Sequence, residues 1–163
     1  MTTRTRTYEF EGRVPDLGVM QSMSGIDYLR GIIRGDYPAA PISATLGFWP
    51  VDVAHGRAVF EGTPEPFIYN PLGVVHGGWA ATILDSAMGC AVHTTLPAGK
   101  SYTTIDLAVS LVRAITTRTK RVRCEAQIVH AGGTIATAQA RLIDETGQLL
   151  AHGTSTCLIM SPK

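Results

Sequence analysis

From Gly25 to Gly35, Ile26, Leu29, Ile32 and Ile33 fall at helical spacing, which predicts an amphipathic helix. Ser24 stands where it can cap that helix, with Asp27 three residues on. Tyr37-Pro38 through Pro41 ends it and opens an extended connector. Thr45 to Val53 and Arg57 to Glu61 read as two strands around an Ala54-His55-Gly56 turn. A loop rich in proline and asparagine, Thr63 to Gly73, leads into a second helix from about His76 to Thr94. That helix is apolar nearly all round (Trp79, Ile83, Leu84, Met88 and Val92 among others), so it is expected to be buried on most sides. Four strand-like runs follow: Thr104 to Arg113, Arg121 to His130, Thr134 to Asp144 and Leu149 to Met160. In the first, Ile105, Leu107, Val109 and Leu111 alternate with Thr104, Asp106, Ala108 and Ser110. Short turns join the last three, which predicts an antiparallel meander.

Strands that outnumber helices, with one greasy helix among them, give an α+β architecture: a single curved antiparallel sheet wrapped around the central helix. Such a sheet has an outer face and two edges to protect, so an oligomer is expected. At 163 residues the chain is long enough for one domain, assigned to 25–163 behind an N-terminal extension, 1–24. Composition adds mainly exclusions. With 45% hydrophobic residues, 17% charged residues and a net charge of +1, nothing draws the chain to nucleic acid or a membrane surface. The apolar stretch from Gly77 to Leu96 is interrupted by Asp85 and His93, so no membrane span is expected. The N-terminus has no apolar core of a secretory signal. Cys90, Cys124 and Cys157 stand far apart in apolar contexts, which suits small buried side chains in a reducing cytoplasm. Neither metal-ligand spacing nor a phosphate-cradling loop occurs, so neither a metal nor a nucleotide cofactor is expected.

The chemistry concentrates in Asn70-Pro71-Leu72-Gly73-Val74-Val75-His76-Gly77-Gly78, with Asp85 eight residues after Gly77. Two glycines at a helix start bare the backbone N–H groups at the positive end of the helix dipole. Such groups can polarise a carbonyl and stabilise an oxyanion. Asp85 is the only acid between His76 and His93, and a carboxylate among Ile83, Leu84, Ala87 and Met88 is costly unless it is paired or at work. An oxyanion donor and a nucleophile or base on one helix is what thioester hydrolysis needs. Each piece also has a plain reading. The glycines could serve tight packing, Asp85 could hydrogen-bond to a strand, and His76 could be a helix-start residue.

This run, followed by Leu84-Asp85-Ser86-Ala87-Met88-Gly89, resembles the PaaI-like branch of the hotdog-fold thioesterases, in the 4-hydroxybenzoyl-CoA thioesterase superfamily. The resemblance extends from about Gly25 to Met160 through Leu46-Gly47-Phe48, Gly56 to Phe60, Thr104 to Leu107 and Gly153 to Thr156. It implies a hotdog fold with an additional N-terminal helix, and hydrolysis of an acyl-CoA to a free acid and CoA. It implies Asp85 as nucleophile or general base, the Gly77 N–H on the thioester oxygen, Asn70 orienting water or acyl group, and His76 positioning the loop. Thr104, or its neighbour Thr103 after a one-residue slip, would reach the site from a second subunit. Gly78 and the basic turn residues Arg118, Lys120 and Arg121 would bind CoA, although a solvated charged turn reads as well from the residues alone. A homodimer, paired into a dimer of dimers, follows from the resemblance. Two other readings stay open: an acyl-CoA-binding hotdog protein without turnover, and a hotdog hydratase or dehydratase.

Overall fold

The structure, a computed structural model, describes residues 3–10 and 17–161. Among the described residues four α-helices, α1 (Leu17–Gln21), α2 (Gly25–Arg34), α3 (Pro41–Leu46) and α4 (Gly77–His93), accompany six strands. The strands are β1 (Phe48–Ala54), β2 (Arg57–Gly62), β3 (Ser101–Leu111), β4 (Val122–Ala131), β5 (Ile135–Asp144) and β6 (Leu149–Met160). They form one antiparallel sheet in the order β1-β2-β4-β5-β6-β3. The expected meander of β4, β5 and β6 is its centre.

Every strand touches α4, so the sheet wraps that helix on one face. Ile83, Leu84, Ala87, Met88, Ala91 and Val92 are fully buried there, against Phe60, Cys124, Ala138, Leu142 and Cys157. Removing that apolar area from water is the main force holding helix to sheet. Gly78, Thr82, Asp85, Ser86 and Cys90 run down the side of α4 that the sheet leaves uncovered.

α2 forms as its spacing predicts. Ser24 caps it, accepting from the Asp27 N–H at 3.4 Å and donating to the Asp27 carboxylate at 2.6 Å, and Gly35 ends it with φ of +84°. Tyr28 and Leu29 are its buried residues, and the Tyr28 ring lies 6.0 Å from that of His93 on α4. At Gly25 the two helices come so close that a Cβ would stand 1.9 Å from the His93 carbonyl oxygen. The connector after α2 differs from expectation. Pro41 sits in the first turn of a short helix, α3, where its fixed φ and missing N–H are tolerated. β1 therefore begins at Phe48 rather than Thr45.

The N-terminal stretch is held to the body by Arg6. Its guanidinium donates to the carbonyls of Thr45 and Ala44, at 2.6 and 2.7 Å, and lies over the Phe67 ring. These bonds satisfy carbonyls at the C-terminal end of α3.

The two sheet edges differ. β1 carries Pro50 and an irregularity between Pro50 and Asp52, both of which spoil an edge for further pairing. β3 is 11 residues long and contains no proline.

Candidate active site

The site is built where α4 faces the start of β3. Thr104 Oγ1 donates to Asp85 Oδ1 at 3.0 Å, and Asp85 is half-buried. What aims Thr104 is an irregularity in the ladder. Thr104 pairs with Cys157 and Asp106 with Thr156, so Ile105 is an extra residue, 55% exposed. Strict alternation would put Thr104 on the opposite face from Val109 and Leu111. The extra residue brings all three towards α4: Thr104 to Asp85, Val109 to the core and Leu111 to Gly77. The geometry also chooses Thr104 over Thr103. The Thr104–Asp85 pair forms within one chain.

Among the described residues Asp85 has no cationic partner. It lines a cavity of about 530 Å³ together with Thr104, Tyr102, Cys90 and His93. Burial pushes the Cys90 thiol up to about 12, with the Asp85 charge adding to the rise and a hydrogen bond from Tyr102 opposing it. Burial raises the Tyr102 hydroxyl well above its ordinary value. It brings the His93 imidazole down to about 4. At neutral pH these three are therefore uncharged walls around one carboxylate. The sequence reading missed all three as site residues. Tyr102 had a signal, since it stands two residues before Thr104 and shares its face; its ring covers Gly89, where a Cβ would meet the hydroxyl oxygen at 2.6 Å.

The other expected residues gather at the N-terminal end of α4. His76 is the N-cap, and its Nδ1 accepts from the Gly78 N–H at 2.9 Å. This is the helix-start role that the sequence allowed, and it leaves Nε2 as the ring's donor. The Gly78 N–H is thereby engaged by the cap. The Gly77 N–H, by contrast, has no partner among the described residues. Leu111 packs over this glycine, so that a Cβ would stand 2.5 Å from Leu111 Cδ1 and the leucine would have to move aside. Asn70 Oδ1 accepts from the N–H groups of Leu72 and Val74, at 2.9 and 3.4 Å, and so shapes the loop before the helix. That oxygen is committed to the loop, and a ligand could meet only the amide nitrogen.

Asn70, His76 and Gly77 line a second cavity of about 240 Å³ with Leu111 and Arg113. Asp85 lies eight residues along α4 from Gly77, about 12 Å of helix axis at 1.5 Å per residue. One chain therefore holds two half-sites, an N–H donor end and a carboxylate end, and does not bring them together.

The basic turn divides in the same way. Arg118 and Lys120 are exposed and have no acidic partner among the described residues. Arg118 sits in the 3-10 turn Thr117–Thr119, which is tied to the Asn70 loop by the Thr117 N–H donating to Tyr69 Oη at 2.7 Å. Arg121 is drawn to Glu61 and Glu145, at 3.4 and 3.9 Å. These are surface pairs of an exposed side chain, worth little each. Among the described residues no cluster of three His, Cys, Asp or Glu side chains could hold a metal ion, and no helix is long and apolar enough to cross a membrane.

Comparison with known proteins points in one direction. A family profile described as the thioesterase superfamily matches residues 72–151. A candidate esterase of Halobacterium salinarum is 38% identical over 73 residues, which is 44% of this chain and 46% of that relative. The chain thus matches about half the length of that protein. A candidate thioesterase from Ralstonia eutropha JMP134, a phenylacetic acid degradation-related protein, superposes with a TM-score of 0.73 at 27% identity, over 80% of this chain and 98% of that one. A thioesterase family protein from Silicibacter pomeroyi gives a TM-score of 0.74 at 23% identity, over 82% and 99%, a likeness of fold. The expected hotdog architecture, a curved antiparallel sheet around one long helix, is the one on which these structures superpose.

Proposed function

We propose that this chain, which matches the thioesterase superfamily profile over residues 72–151 and has the hotdog fold, is a thioesterase that hydrolyses acyl-CoA to a carboxylic acid and CoA. The observation that carries this reading is Asp85: a half-buried carboxylate without a cation among the described residues, held by one hydroxyl and facing a largely apolar cavity. A carboxylate so placed is costly unless it is used.

The chemistry follows from the two half-sites. The thioester carbonyl accepts from the Gly77 N–H, which steadies the negative charge that develops on oxygen. Asp85 takes the proton of a water whose oxygen attacks the carbonyl carbon, or attacks that carbon itself and is released by water afterwards. The C–S bond then breaks, and the thiolate leaves as CoA after taking a proton. Because the half-sites lie about 12 Å apart along α4, the working site pairs Asp85 and Thr104 of one protomer with Gly77, His76 and Asn70 of the partner subunit. Two such sites form per dimer, and a dimer of dimers is the expected assembly. Arg118 and Lys120, beside the Asn70 loop, are the cations offered to the CoA phosphates. The cysteines are free, which fits work in the reducing cytoplasm.

Thiol release from a panel of acyl-CoAs tests the reading directly. Turnover by the parent is expected, and Asp85→Asn should lower it by roughly 10²–10⁴-fold, because the amide cannot take a proton from water. Substrate binding should survive and the melting temperature should hold or rise, since a charge leaves a half-buried place. Near-parent turnover by a destabilised Asp85→Asn variant would reduce Asp85 to a structural residue.

A further inference from the structure

The cavity beside Asp85 has a wall that the sheet and α4 do not supply. Met20 from α1, Leu29 and Ile32 from α2, and Pro38 from the connector close it on the side away from β3. These residues bring no charge, and Leu29 belongs to the hydrophobic core. α1 and α2 are anchored there independently of any ligand. The Gly99 N–H donates to the Gln21 carbonyl at 2.7 Å, and the Gly25 N–H donates to the Leu96 carbonyl at 3.0 Å. The wall is therefore a fixed part of the molecule.

We propose that this wall makes the cavity the subsite for the acyl group, that Ile32 sets how long an acyl chain it admits, and that the group it takes is apolar and uncharged at its far end. The inference rests on the hydrolase reading for the identity of the ligand, but on the cavity alone for its chemistry. Asp85 and Thr104 stand at the edge of the cavity, where a thioester carbon would have to lie to be attacked. An acyl chain running from that carbon would pass between α2 and β3, along the rings of Tyr102, His93 and Tyr28. Neighbouring centroids in that row are 5.5 and 6.0 Å apart. Aromatic faces and aliphatic side chains reward apolar contact.

The charge selection follows from the same lining. Among the described residues no Lys or Arg faces the cavity, and its one histidine is kept neutral by burial. A carboxylate at the far end of the acyl group would be desolvated without a counter-ion and would also meet the negative charge of Asp85. A dicarboxylic acyl group should therefore be rejected in favour of its uncharged isostere.

Ile32 is half-buried at the margin of the core and reaches the cavity, so it can be changed with less harm than its fully buried neighbour Leu29. Hydrolysis of butyryl-, pentanoyl-, octanoyl- and succinyl-CoA is compared for the parent, Ile32→Trp and Ile32→Ala. Each protein is also titrated with N-phenyl-1-naphthylamine, an uncharged apolar dye. Ile32→Trp should lower the octanoyl-to-butyryl ratio of kcat/KM at least tenfold and weaken dye binding, whereas Ile32→Ala should raise that ratio. Succinyl-CoA should be at least a hundredfold poorer than pentanoyl-CoA for the parent. An unchanged chain-length ratio and unchanged dye binding in both variants would overturn the assignment of the wall. Equal use of succinyl- and pentanoyl-CoA would overturn the charge selection. If the parent releases no thiol from any acyl-CoA while Ile32→Trp still abolishes dye binding, the hydrolase reading fails and the apolar subsite stands. Circular dichroism of each variant shows that it is folded before its ratio is read.

Discussion

Thr104 touches Asp85 but does no chemistry of its own, so its part can be separated from that of the carboxylate. Thr104→Val keeps the shape and removes the donor that holds Asp85 Oδ1 at 3.0 Å. A hydrogen bond to a charged group is worth about 1.5–3 kcal/mol, so kcat should fall roughly tenfold or more as the carboxylate loses its preferred rotamer. Thr104→Ser keeps the hydroxyl and should restore most of the rate. A filler of space would give the reverse order, with valine tolerated and serine poorer. Both variants are read in the same thiol-release assay with KM and kcat separated. At this scale the sequence is legible wherever a residue acts through its own backbone position. His76 at a helix start and Ser24 as a cap both follow from local rules. Which of Thr103 and Thr104 faces Asp85 does not follow, because it depends on an extra residue at Ile105 that only the pairing with β6 reveals. Arg121 shows the same limit, since Glu61 and Glu145 reach it from elsewhere in the chain.

The elements carry the molecule's clearest pH response, at the end of α4. Burial lowers His93 from its ordinary 6.5 to about 4. The folded state therefore keeps this ring neutral over a range in which the unfolded chain takes up a proton. The stability it contributes is complete above pH 6.5 and is lost as the pH falls from 6.5 towards 4, up to about 3 kcal/mol at 1.36 kcal/mol per unit. His93→Phe keeps a ring between Tyr28 and Tyr102 and cannot be protonated. The difference in melting temperature between parent and variant should shift in favour of the variant across that window; a constant difference would clear His93 of the effect. Subtracting the variant cancels the carboxylates, which titrate over part of the same range. The helices and strands themselves were legible because their periods are strong: α2, the core face of α4 and the β4–β6 meander each stand close to where the apolar rhythm puts them. α3 was not legible. Pro41 reads as a helix breaker until it is seen that the helix starts there, and the carbonyls at its far end are satisfied by Arg6, some forty residues earlier in the chain.

For the whole molecule, the paired-site proposal makes assembly a condition of activity. Ile105, Leu107, Leu111 and Val112 are 55%, 38%, 57% and 50% exposed along or just beyond β3. A second copy would cover them. Light scattering at micromolar concentration should give at least a dimer, and Ile105→Lys with Leu107→Lys should shift it towards monomer. Thiol release should fall in step with the dimer fraction; full activity in a proven monomer would end the paired-site reading. The sheet's two unequal margins have a further consequence for behaviour in concentrated solution. Both edge ladders are interrupted, at Pro50/Asp52 in β1 and at Ile105 in β3, but only β1 also carries proline, so the longer β3 side is the better able to accept another strand. A pair joined through that side has spent both of its welcoming margins and shows the outside world two blunt ones. Strand addition in such a pair would stop at two, and light scattering at rising concentration should then show no growth beyond a closed assembly.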